Sequence, residues 1–175
     1  MKTFNWFIKK KLLIKDETAK NLASAYLKKA RNNITTMEIL NKIMGFTDEL
    51  GIPLDYDPNE WVVISAYYAM YLAALSVLAK LSYRSKNHTA TSTALEELLV
   101  KKKLLDKEML DTLEEIKVQK EEIEQLNRVR DDRETAQYSV TKQTTANIAR
   151  EARQNAHEFT NKIEELIDML EHKKA

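Results

Sequence analysis

The 175-residue chain has no cysteine, and only two glycines and two prolines. Without cysteine there are no disulfides, thiol nucleophiles or thiolate metal sites. Scarce glycine and proline leave little material for tight hairpins. With abundant alanine, leucine, glutamate and lysine, this predicts long helices joined by few loops. The two glycines stand alone, so no glycine-rich phosphate loop exists. Histidine is also sparse: His88, His157 and His172 have no other histidine at metal-ligand spacing, which argues against zinc. No inward Glu-x-x-His pair suggests a di-iron bundle, and the expectation is a protein without metal or cofactor. Charge of neither sign dominates, with 28 basic and 27 acidic residues, so only local patches can attract a polyanion. Met1 to Lys11 lacks an apolar leader segment and a small-residue cleavage site. A cytoplasmic protein is expected.

The most informative feature present is Trp61 to Ala79 (WVVISAYYAMYLAALSVLA), uncharged in a chain that is 31% charged. As a helix it would be about 28 Å long, enough to cross a bilayer or to form a bundle core. Tyr67, Tyr68 and Tyr71 lie near its middle, whereas membrane spans keep tyrosine at their interfaces. Ser65 and Ser76 would need hydrogen-bond partners in lipid. The run reads as a helix surrounded by other helices in a soluble domain, with a membrane span as the alternative. Trp61, Tyr68, Tyr71, Leu75 and Leu78 mark one stripe at helical spacing.

The pattern predicts an all-α, antiparallel, up-and-down bundle of about five helices over 16–171. A short aromatic and basic element (1–15) precedes it and a tail (172–175) follows. Asp16 is the expected N-cap of a first long helix, with Leu22, Tyr26, Ala30, Met37, Leu40 and Met44 along one face and a stop at Gly45. Pro58 and Glu60 suit the start of the second helix, and polar residues from Ser82 to Thr91 interrupt it. Thr93-Ala-Leu-Glu96 reads as a capping box opening a shorter helix. After Asp106, Met109, Leu113, Ile116, Ile123 and Leu126 form heptads, with Lys120 in one apolar slot. In the last helix Ala149, Ala152, Ala156, Phe159, Ile163, Leu166 and Leu170 alternate spacings of three and four. Its first half is small and its second half large.

Arg128, Arg130 and Arg133 cluster with Tyr138 near the junction of the last two helices. Guanidinium forks match phosphate oxygens, and the bland alternative is that they pair with Asp131, Asp132 and Glu134. Arg84, Lys86 and His88 form a second basic cluster. The expectation is that both clusters line one end of the bundle.

Four segments, in order, give the chain a family resemblance: Ser65-Ala-Tyr-Tyr-Ala-Met-Tyr71, Lys86-Asn-His88, Arg130 with Arg133, Ala136 and Tyr138, and Ala156-His-Glu-Phe159. Over roughly Ala19 to Leu170 the chain resembles the HEPN family of prokaryotic helical domains. The resemblance implies an antiparallel helical bundle, a homodimer, a nucleotide or RNA connection, and a nucleotidyltransferase partner in a toxin–antitoxin-like system. Many catalytic members are metal-independent ribonucleases using Arg followed by His after four to six residues. Here Gln137 and Tyr138 follow Arg133 where histidine is expected. Arg150 and His157 have the spacing, well inside the last helix. Such cleavage needs a proton-transfer group, usually histidine; Tyr138, with an ordinary pKa near 10, is a poor substitute. The expectation is a non-catalytic module binding phosphate through Arg128, Arg130, Arg133, Tyr138, Lys86 and His88. The alternatives are a divergent ribonuclease and a structural protein–protein adaptor.

Overall fold

Ser76, deep in the apolar run, donates from Oγ to the carbonyl of Ala23 at 2.9 Å, so its hydroxyl is satisfied by protein. The computed structural model describes residues 2–43, 49–53, 56–131 and 146–172, with the backbone alone from 126 to 131. Six α-helices run through these residues: α1 (Phe4–Lys9), α2 (Ala23–Ile43), α3 (Asn59–Lys80), α4 (His88–Leu95), α5 (Lys107–Asp131) and α6 (Ala146–His172). The all-α expectation holds. Met44, the stop at Gly45 and the tail from Lys173 lie outside the described residues.

The uncharged run forms α3, and α2, α5 and α6 surround it. Val62, Val63, Ala66, Ala69, Met70, Ala73, Val77 and Leu78 are all buried. By length and composition α3 would suffice to cross a membrane, but 78% of its apolar window is covered within the bundle. Its stripe is outward only at the N-terminal end: Trp61 is 49% and Tyr68 39% exposed, whereas Leu78 is buried.

Direction alternates along the chain. Ser76 near the end of α3 meets Ala23 at the start of α2, so these two are antiparallel. Lys80 and Glu171 pair at the C-terminal ends of α3 and α6, which run together. On the α2–α6 seam Arg31 pairs with Glu164, while Glu38 receives His157 and Arg153. Along α6, Ala149, Ala152, Ala156, Phe159, Ile163 and Leu166 are buried as the heptads predict. On α5, Leu113, Ile116 and Ile123 are buried.

Three local readings need correction. Thr93-Ala-Leu-Glu96 caps nothing. Asn87, in extended conformation, accepts from the Ala90 amide at 2.9 Å and starts α4 at His88. Thr93 is therefore mid-helix, and Glu96 opens a π-helical turn (Glu96–Val100). The polar stretch after α3 also contains a strand. Two three-residue strands, β1 (Leu13–Lys15) and β2 (Tyr83–Ser85), pair antiparallel with Leu13 opposite Ser85 and Lys15 opposite Tyr83. Asp16 does cap, accepting from the Thr18 amide at 2.9 Å, but it caps a 3-10 turn (Glu17–Leu22) leading into α2. The N-terminal element joins the main core through Phe7 and Leu13.

Candidate functional site

The asparagine cap that starts α4 places His88 in its first turn, against two tyrosines of α3. Its imidazole stacks on Tyr71 (centroids 5.6 Å apart, planes 22° apart) and Tyr67 (5.9 Å, 27°). Nε2 lies 3.0 Å from Glu114 Oε1 on α5, and Nδ1 3.4 Å from the Tyr67 hydroxyl. An ionised carboxylate only accepts, so Nε2 donates to Glu114, and in the neutral ring Nδ1 is then the acceptor facing the Tyr67 hydroxyl. The His88 side chain is 9% exposed. Both ring nitrogens are occupied, and the imidazole joins α3, α4 and α5.

The surrounding charges agree with this arrangement. Burial alone would raise the Glu114 carboxyl, but hydrogen bonds from His88 and Ser92 outweigh it and hold the group below its ordinary range. Burial pushes the Tyr67 phenol far up, helped by Tyr71, Tyr68 and the carboxylates of Glu121 and Glu114. Tyr67 is thus a neutral donor, not a phenolate. Lys120, the lysine in an apolar heptad slot, lies over the rings of Tyr67 (5.4 Å) and Tyr68 (5.6 Å). Its ammonium pairs with Glu124 at 2.6 Å. Cation and ring quadrupole attract, and the lysine stem covers apolar surface.

A second histidine site lies on the α2–α6 seam. His157 Nε2 and Arg153 Nε both donate to Glu38 Oε1, at 2.8 and 2.7 Å. Burial opposes ionisation of Glu38, yet His157 and Arg153 lower its pKa. Arg150 instead donates to Asn147 at 3.0 Å. It stands two helical turns from His157, about 10 Å along the axis, with the Arg153–Glu38 pair between them. Arg150 and His157 do not converge.

The two basic clusters are not at one end. Lys86 and Arg84 follow the C-terminus of α3. Arg128 and Arg130 lie two to three turns beyond Lys120 on the antiparallel α5, toward the start of α3. The length of α3, about 33 Å, separates these poles. The α3–α5 register sets this geometry, and sequence spacing does not contain it. Arg133, Ala136 and Tyr138 lie outside the described residues, as do the side chains of Arg128 and Arg130. Lys86 is exposed, and Arg84 is held by Asp16 at 2.5 Å.

Sequence reasoning missed Glu114, Glu38 and Arg153. Only Lys120, a charge breaking an apolar heptad, signalled that something unusual lay beneath. Among the described residues no three His, Asp or Glu side chains gather as a metal site would require. A cleft of about 520 Å³ opens between α1, α4 and α5, with Phe4, Leu110 and Glu114 in its wall. At its rim Lys101 and Lys107 are neutralised by Glu97 and Glu96.

Neither a curated protein nor a solved structure matches the chain. The model of the HEPN domain matches residues 17–172, nearly the whole bundle. Helices α2 to α6 all fall within that match, and the chain belongs to the HEPN family.

Proposed function

We propose that this HEPN-family chain is a non-catalytic binding module. It holds a nucleotide or nucleic-acid phosphate at the arginine-bearing junction of α5 and α6. It works as a homodimer beside a nucleotidyltransferase partner, in a toxin–antitoxin-like pairing. One observation carries the non-catalytic part: His88, four residues after Arg84, is 9% exposed and has both ring nitrogens against side chains of other helices. A substrate proton would have to displace Tyr67 or Glu114 from the His88 ring, which counts against a base there. The arginine cluster supplies the phosphate chemistry, because guanidinium binds phosphate as a fork and stays charged.

The test is to titrate the protein with ATP and with labelled single-stranded RNA, following binding and RNA length in the same samples. Binding without shortening, weakened about tenfold or more in Arg130→Ala/Arg133→Ala, is the expected result. Cleavage without added metal would overturn it.

The ribonuclease reading has one observation in its favour. Glu38 orients His157 as a carboxylate orients a catalytic base, and the ring is 39% exposed. Cleavage lost in both His157→Ala and Glu38→Gln, with folding intact, would establish that alternative.

A further inference from the structure

The first fifteen residues carry five lysines and no acidic side chain, leaving 23 basic against 27 acidic residues in the rest of the chain. A nearly neutral molecule is thus polarised, and the fold sharpens the asymmetry. Helix α1 ends at Lys9, and Lys10 and Lys11 turn the chain back by bonding to the carbonyls of Trp6 and Ile8. The Lys86 amide then donates to the Leu12 carbonyl at 2.9 Å, bringing a lysine from beyond α3 to the same turn. We propose that Lys9, Lys10, Lys11, Lys15 and Lys86 form a basic arc that binds the phosphate backbone of a nucleic acid without reading its sequence.

All five side chains are exposed, and none pairs with a carboxylate among the described residues. Elsewhere Lys20, Lys80, Lys101, Lys107, Lys117 and Lys120 each lie against one, while Lys28, Lys29, Lys42, Lys102 and Lys103 are exposed singly or in pairs. Beside the arc, Arg84 is neutralised by Asp16, and Glu17 lies close enough to Lys15 for their charges to interact. Unpaired like charges repel, so the cluster costs stability unless an anion joins it. Lys11 ends α1 at φ +53°, the left-handed conformation common just past a helix C-terminus and suited to glycine; Lys103 and Ser82 adopt it elsewhere.

The partner follows from what the arc lacks. Phe7 is buried, Trp6 packs edge-on against it, and Phe4 packs edge-on against Tyr83. None of the exposed large apolar side chains lies in α1 or the strand pair. Phe4, Trp6 and Tyr83 are half-buried, and Lys2 lies over the Trp6 ring at 4.6 Å, so little apolar surface is left to insert into a bilayer, to anchor a protein interface or to stack on a base. What remains is charge, which matches a phosphate backbone through counterion release. Apart from Lys86, these lysines precede the family match. The arc lies at the pole opposite the described end of α5, so the proposal goes beyond the function proposed above and is tested separately.

Fluorescence polarisation of the full chain with labelled RNA and DNA, single-stranded and duplex, at about 50 and 200 mM salt, reads both affinity and salt slope. Lys9→Gln/Lys10→Gln/Lys86→Gln should reduce the slope by about 2 to 3 and weaken low-salt binding at least tenfold. Lys11→Gly should reduce the slope by about 1 without lowering Tm, because glycine accepts the left-handed turn. Arg130→Ala/Arg133→Ala should leave the arc's share of the slope intact. A folded triple-glutamine variant with wild-type affinity and slope would overturn the arc, whatever the arginine variant does. So would tighter binding of wild type to phosphatidylserine vesicles than to any of the nucleic acids.

Discussion

His88 contributes to the fold through the same two nitrogens that would otherwise suit it to catalysis. His88→Ala removes the hydrogen bonds to Glu114 and Tyr67 and leaves a carboxylate and a phenol without their partner. The expected loss is about 2 to 3 kcal/mol, read as a lower urea midpoint with an unchanged slope. Acid should act on the same contacts. Glu114 and Glu38 have pKa values below the ordinary glutamate value of 4.5. Their contribution is therefore complete above that value and is lost as pH falls through the lower folded-state values. A thermal-melt series should show Tm falling below about pH 4.5 and falling less steeply in Glu38→Gln/Glu114→Gln. At this scale the sequence was partly legible. Lys120 advertised itself by breaking a heptad, but Glu114 is 26 residues from His88 and Glu38 is 119 from His157. Only the packing register brings such pairs together.

Among the elements, α6 was the most readable and the β1–β2 pair the least. The heptads of α6 encode its buried face directly, since one amphipathic helix carries its own period. Ala156 is fully buried and Phe159 nearly so, with the small residue allowing close approach and the large one filling space. Ala156→Leu should overpack the seam and cost about 1 to 3 kcal/mol, measurable by chemical denaturation, with helicity retained in the far-ultraviolet spectrum. The strands are three residues each and have no amphipathic period of their own. They exist because the fold brings Leu13 to Ser85, which no local pattern announces. The capping-box motif misled for a related reason: Asn87, six residues earlier, was the stronger cap, and a helix already under way has no use for a second.

At the scale of the molecule, α3 forces the architecture. A nineteen-residue uncharged run with tyrosines and serines inside it has to be enclosed by helices that meet its hydroxyls, as α2 does for Ser76 and α4 for Tyr67. That much was legible. The assignment of basic residues to opposite poles was not, because it depends on α5 running antiparallel to α3.

The enclosure of α3 also has a consequence in time. One wall of α3 is α6, the last of the described helices to be made. On the ribosome the apolar helix is complete roughly 90 residues before that wall, a wait of about 5 to 20 s at ordinary elongation rates. For that interval the nascent chain displays a segment that membrane-targeting factors and chaperones are built to detect. A chain ended at residue 145 makes the interval permanent. It should sediment with membranes or aggregates, while the full-length protein stays in the supernatant.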